Sequence, residues 1–153
     1  MTVYKDANSG KVAREELTIR LPERRFAADI IANRSLGQGE TIGASITSGG
    51  ALVIGLNRNA DSLNLDGPVK ARLGDHLSFM IRSAIRRKLL LRCHFFAPDG
   101  SFLHVYARSV LMDGVTGTVT FPSALNDPPG RYRLVVTDLI SAAAAESTFA
   151  LEP

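Results

Sequence analysis

The chain has 153 residues, enough for one generous domain or two small ones, and 45% of them are hydrophobic, which excludes a globally disordered polymer. Eighteen Lys+Arg against fifteen Asp+Glu leave a net charge of only +3, so the pI near 9.4 implies no nucleic-acid footprint. Thirteen Gly and seven Pro at short intervals favour many short strands over long helices, and the apolar runs are too short for a membrane-spanning helix.

Residues 1–16 are polar, read as a flexible lead-in, and lack the apolar stretch of a signal peptide. Leu17-Thr18-Ile19-Arg20-Leu21 alternates with period two and predicts a strand stopped by Pro22. Phe26–Ile31 is short for a helix and predicts a second strand, with Asn33-Arg34 opening a turn that reaches Gly37 and Gly39. Thr41–Thr47 alternates again, Ser48-Gly49-Gly50 reads as a hairpin turn, and Ala51–Leu56 answers it. Asn57–Asn64 is rich in Asp and Asn and is the best linker, which separates a β-meander at 17–60 from a second domain at 64–153.

The second half predicts strands at Val69–Leu73, His76–Ile81, Leu89–Phe96, Phe102–Val110, Thr116–Phe121, Arg131–Leu139 and Thr148–Leu151. Turns fall at Gly74-Asp75, Pro98-Asp99-Gly100, Asp113-Gly114 and Asn126–Gly130, and the Ala142–Ala145 run is a loop or frayed helical turn. Strands recurring about every ten residues with turn chemistry between them describe a β-sandwich. The basic patch Arg82, Arg86, Arg87 and Lys88 reads as a solvated loop or edge protection, because no aromatics interleave at stacking spacing.

Pro98-Asp99-Gly100 followed by Asn126-Asp127-Pro128-Pro129-Gly130-Arg131-Tyr132-Arg133-Leu134-Val135-Val136-Thr137-Asp138 resembles bacterial immunoglobulin-like and macroglobulin-like β-sandwich modules. In these, a "PDG" hairpin and a "PxGxYxLxVxD" strand recur. Leu17–Leu21, Asp29–Gly37 and Gly49–Leu56 together are similar to a β-meander of glycosidase-like bacterial proteins, where it caps the C-terminal accessory region of a long multidomain chain. The resemblance implies an all-β fold, an immunoglobulin-like sandwich preceded by a smaller antiparallel meander. It also implies an accessory module of a larger, exported or cell-surface bacterial protein, whose catalytic residues have no counterpart here.

A three-residue loop at Pro98-Asp99-Gly100, with Gly100 left-handed, pairs Ala97 with Ser101. That register sets His94 opposite His104, Phe96 opposite Phe102 and Arg92 opposite Tyr106, and sends Leu91, Cys93, Phe95, Leu103, Val105 and Ala107 into a core. The other face would carry Arg92, His94, Phe96, Phe102, His104 and Tyr106, a mixed aromatic and cationic set unlike a plain solvated surface. Three uses compete for it. It packs on a neighbouring domain or on the first half of the chain, with Arg92 over Tyr106 as a cation–π pair; it binds a sugar or peptide; or His94 and His104 hold a metal, for which a third ligand is missing.

No nucleophile elbow, zinc-protease helix, phosphate loop or Cys/His cluster is present, and carboxylates such as Asp127 and Asp138 read as turn residues, although acids distant in sequence can meet in space. The single cysteine, Cys93, forms no intrachain disulfide and reads as a small buried residue. The expectation is a non-catalytic accessory or structural module without cofactor or metal. Its partners would be neighbouring domains of the same parent protein, or a glycan or peptide, and neither nucleic acid nor a membrane.

Overall fold

The computed structural model describes the backbone of residues 2–4 and the whole of residues 14–58 and 61–153. Among the described residues there are ten strands, one 3-10 turn and no α-helix. They form two compact units, one of Met1–Ala60 with Leu139–Ala142 and one of Asp61–Asp138 with Ala143–Pro153.

The first unit contains β1 (Thr2–Tyr4), β2 (Arg14–Asp29), β3 (Arg34–Thr47) and β4 (Ala51–Asn57), antiparallel in the order β1-β4-β2-β3. Its alternating Ile19, Ile42, Ala44, Ile46, Leu52 and Ile54 bury one face together. Several sequence expectations change here. The stretch read as a lead-in supplies both β1 and the first residues of β2, because Arg14–Glu16 extends the pairing with Thr47–Ser45; residues 5–13 lie outside the described residues. Pro22 does not stop β2. The ladder to β3 skips between Arg20 and Arg25, so the missing proline N–H is never called on.

The turn also comes earlier than Gly37. The Asp29 carboxylate accepts the Ile31 and Ala32 N–H groups at 3.2 and 3.1 Å, and Asn33 at φ 50° completes the reversal. Gly37, at φ +96°, sits beside a bulge in β3. The Ser48-Gly49-Gly50 turn does form, with the Gly50 N–H donating to the Thr47 carbonyl at 2.9 Å, but β4 then pairs with β2 rather than β3. Gly55 in β4 permits a close approach: a Cβ there would lie 2.5 Å from the Ile140 carbonyl oxygen.

The second unit contains β5 (Leu63–Asp66), β6 (Lys70–Arg72), β7 (His76–Phe96), β8 (Arg108–Pro122), β9 (Gly130–Asp138) and β10 (Ala144–Glu152). The stretches expected as a loop at 82–88 and a turn at Asp113-Gly114 are both strand. β7 and β8 run through them as one long hairpin whose register breaks between Arg82 and Arg87, with Gly114 at φ +105° opposite Arg87. Phe79 and Phe95 show what the break does. Sixteen residues of straight strand would set them roughly 50 Å apart, yet their ring centroids lie 6.1 Å apart. β7 is therefore bent back on itself, and its two halves belong to opposing layers.

One layer is β5, the first half of β7 and the second half of β8; the other is the first half of β8, the second half of β7, then β9, β10 and β6, the last parallel to β10. Phe79, Phe95, Phe121 and Phe149 meet edge to face between them and anchor a core with Leu89, Leu91, Leu134 and Val136. Tyr132, two residues into β9, is 2% exposed and donates its hydroxyl to the Pro128 carbonyl at 2.7 Å. This is a tyrosine corner, the device that fixes the loop entering the sixth strand of immunoglobulin-like sandwiches. The second unit has that fold.

The Ala142–Ala145 run is neither all loop nor helical: Ala142 turns the chain at φ 58°, and Ala144 already pairs with Thr137.

Candidate functional site

The turn that carries the aromatic face has the expected construction. The Ala97 N–H donates to the Ser101 carbonyl and the Gly100 N–H to the Ala97 carbonyl, each at 2.9 Å, Gly100 sits at φ +82°, and Phe96 bridges to Phe102. The Asp99 carboxylate accepts the Ser101 N–H at 2.9 Å, and its bonds to Ser101 hold it below the usual carboxylate range.

Beyond Leu103 the expected return strand gives way to a 3-10 turn, His104–Tyr106. It shifts the register, so Arg92 faces Ser109 and Cys93 faces Arg108. Tyr106 consequently leaves the outer face. Its ring packs at 5.8 Å from Phe95, and its hydroxyl donates to Asp127 Oδ2 at 2.6 Å. Burial, then the bond to Asp127, push that phenol up to about 12. Val105, expected in the core, is 81% exposed at the turn's tip, and the Arg92–Tyr106 cation–π pair does not form. The cations over rings are instead Arg133 on Phe96, at 4.4 Å, and Arg108 on Phe121, at 4.0 Å.

The surface retains Arg92, His94, Phe96, Phe102 and His104. The Phe102 ring is flanked edge to face by His94 at 4.9 Å and His104 at 4.3 Å, with Phe96 at 5.8 Å. Beside them lies an open depression of about 370 Å³, lined also by Arg108 and Ser109. Burial, then the neighbouring Arg92, lower the pKa of His94 and favour its neutral form. The two histidines bracket a phenyl ring rather than a shared point, and among the described residues no group of three or more His, Cys, Asp or Glu is placed to hold a metal.

The fold does bring distant carboxylates together. Asp61, expected in a linker, and Asp138, expected in a turn, both have fully buried side chains and share one nitrogen of Arg87, at 3.0 and 2.5 Å. Ser83 Oγ donates to Asp61 at 3.1 Å. Arg87 thus belongs to a buried ion network, not to a solvated patch, and Arg82 pairs with Asp66 at 2.5 Å. Enclosed and engaged by one guanidinium, these carboxylates offer no surface to a substrate. No local pattern in the sequence signals this network, because the fold alone brings its members together. Cys93 is equally shut in: burial pushes its thiol up to about 11, which removes it as a nucleophile.

Neither a protein-family model nor a curated protein matches this sequence. Among solved structures, the chain is similar to the CARDB domain of a Pyrococcus furiosus protein, solved in complex with di-metal ions, at 12% identity and a TM-score of 0.39, over 60% of this chain and 86% of that one. It is similar also to the PKD domain of an M14-like peptidase from a Thermoplasmatales archaeon, at 13% identity and a TM-score of 0.38, over 60% and 94%. Both likenesses are too slight to carry an argument. The immunoglobulin-like assignment rests on the two layers, the parallel β6–β10 pair and the tyrosine corner.

Proposed function

We propose that the chain is a non-catalytic accessory module whose sandwich docks a polypeptide partner, such as a neighbouring domain of a larger protein, through the surface of Arg92, His94, Phe96, Phe102 and His104. The observation that carries this reading is the Phe102 cluster. Three aromatic neighbours and a cation are held in a fixed arrangement on an outward surface where Thr, Lys or Glu would serve solubility better. Polypeptide is favoured over glycan because Phe102 meets both imidazoles at steep angles, 74° and 72°, and presents no broad platform of coplanar rings. Tyr106, the third ring of a sugar-binding face, is turned into the core.

The test is parallel selection from a random-peptide display library and screening on a glycan array, using the parent chain and a Phe96→Ala/Phe102→Ala variant. Peptides retained by the parent and lost by the variant are the expected result. Peptides held equally by both chains, or glycans alone held through the cluster, would refute the reading.

A further inference from the structure

The first half of β8 is an open edge: β8 pairs with β7 on one side, and among the described residues no strand pairs with it on the other. Which backbone groups it offers follows from the hairpin. Phe95 directs its carbonyl to the Leu103 N–H, so every second residue down β7, Cys93 and Leu91 included, bonds toward β8. Their partners are Arg108 and Val110. Ser109, Leu111 and Asp113 therefore turn N–H and C=O outward, and Leu111 is 66% exposed. Neither proline nor lysine guards this stretch. The second half of the strand differs, since Arg108 donates across to the Thr120 carbonyl at 3.2 Å.

Two depressions flank the open segment. At one end is the depression of Arg92, His94, His104 and Arg108, made cationic by its two guanidinium groups and lined by no carboxylate. Arg92 has no ion-pair partner among the described residues, unlike Arg82, Arg87 and Arg133. At the other end is one of about 170 Å³ of mixed character, where Ile81, Val110 and Met112 meet Asp113, Thr116 and Thr118. We infer that Ser109–Asp113 is the seat of an extended acidic segment of a partner protein, added to β8 as a further antiparallel strand, with its carboxylates at Arg92 and Arg108. This rests on the docking reading and specifies its mode. A second copy of the chain fits less well, because it would bring another cationic depression to the seam, whereas an acidic segment neutralises the one present.

The experiment is an NMR titration of the isotopically labelled full chain with a peptide of alternating glutamate and valine, and with its lysine–valine counterpart. The glutamate peptide should shift the Ser109, Leu111 and Asp113 amides and slow their exchange, and the lysine peptide should not. Arg92→Glu should weaken binding roughly 3- to 10-fold. Leu111→Pro removes an outward N–H without touching the β7 ladder and should abolish the protection. A glutamate peptide N-methylated at alternate residues probes the same bonds from the partner's side should that variant fail to fold. The inference is overturned if both peptides bind alike, or if the chain's own dimerisation protects these amides without peptide. It is also overturned if the glutamate peptide binds Leu111→Pro, or binds in its methylated form, as tightly as the parent pair; dependence on Phe102 in that case would leave docking standing and remove only strand addition.

Discussion

Replacing Arg87 by Met probes how the second unit is held together. Arg87 serves two carboxylates whose side chains have no exposure, while its own side chain is 21% exposed. Removing it leaves Asp61 with the Ser83 hydroxyl and the Ser62 N–H as hydrogen-bond donors, at 3.1 and 2.8 Å, and takes from Asp138 the guanidinium that lies 2.5 Å from its Oδ2. Breaking a buried pair by deleting one partner costs about 3–5 kcal/mol, because the survivor stays buried and uncompensated. The partial exposure of Arg87 puts the expectation near the lower end, about 3 kcal/mol. For a unit of this size each kcal/mol moves the midpoint by roughly 4–8 °C, so a fall of about 12–24 °C in Tm is expected. Urea denaturation followed by circular dichroism, with thermal melts, measures it. Arg87→Lys should fall between, keeping the charge and losing the second guanidinium nitrogen, which donates to the Lys88 carbonyl at 3.3 Å. Combining Arg87→Met with Asp61→Asn and Asp138→Asn should recover much of the loss, since the buried charges leave together. A loss below about 1 kcal/mol for Arg87→Met would mean that water or other donors already satisfy the two carboxylates, and the reasoning would fail.

Tyr132→Phe should cost about 1 kcal/mol in urea denaturation, because the hydrogen bond to the Pro128 carbonyl at the tyrosine corner is lost; an unchanged midpoint would show the corner to be idle. Cys93, with its thiol near 11, should resist Ellman's reagent at pH 8 in the folded chain and react once urea unfolds it; rapid reaction of native protein would contradict the burial. His94 should titrate by NMR below the ordinary value of about 6.5, because burial and then Arg92 disfavour its cation. Its small contribution to stability is therefore present above that ordinary value and lost as pH falls through the depressed folded one. Arg92→Ala should move the His94 titration upward part of the way, with burial holding the remainder.

Local chemistry was legible wherever one residue's own conformation decided the outcome. Pro98-Asp99-Gly100 specifies its three-residue loop through Gly100, and the alternation in Leu91-Arg92-Cys93-His94-Phe95 divides buried from outward positions before any neighbour is known. Beyond Leu103 that logic ends. A straight return strand would have left Tyr106 outside; a 3-10 turn admits it to Phe95 and Asp127, a choice made by a neighbouring ring and by a carboxylate 21 residues beyond Tyr106. Pro22, Asp113 and Gly114 misled for a related reason. Each is a turn former in isolation, and each is accommodated where a ladder skips or bends.

Part of the candidate surface could be named from the sequence: Arg92, His94, Phe96, Phe102 and His104 follow from the hairpin. Neither the open β8 edge beside them nor the Asp61–Arg87–Asp138 network could. An edge is defined by which strand is missing from one side, and a buried ion network by groups that tertiary folding desolvates together. The sequence by itself determined an all-β chain, its principal turns and the inward alternation of its strands, because these depend on φ preference and on a period of two. Tertiary structure alone decided that β7 folds back so that Phe79 meets Phe95, that Tyr106 goes in and Val105 out, and that one arginine of a basic run is drawn against two buried carboxylates. Those outcomes are set by packing and desolvation between residues far apart along the chain, quantities that no local pattern contains.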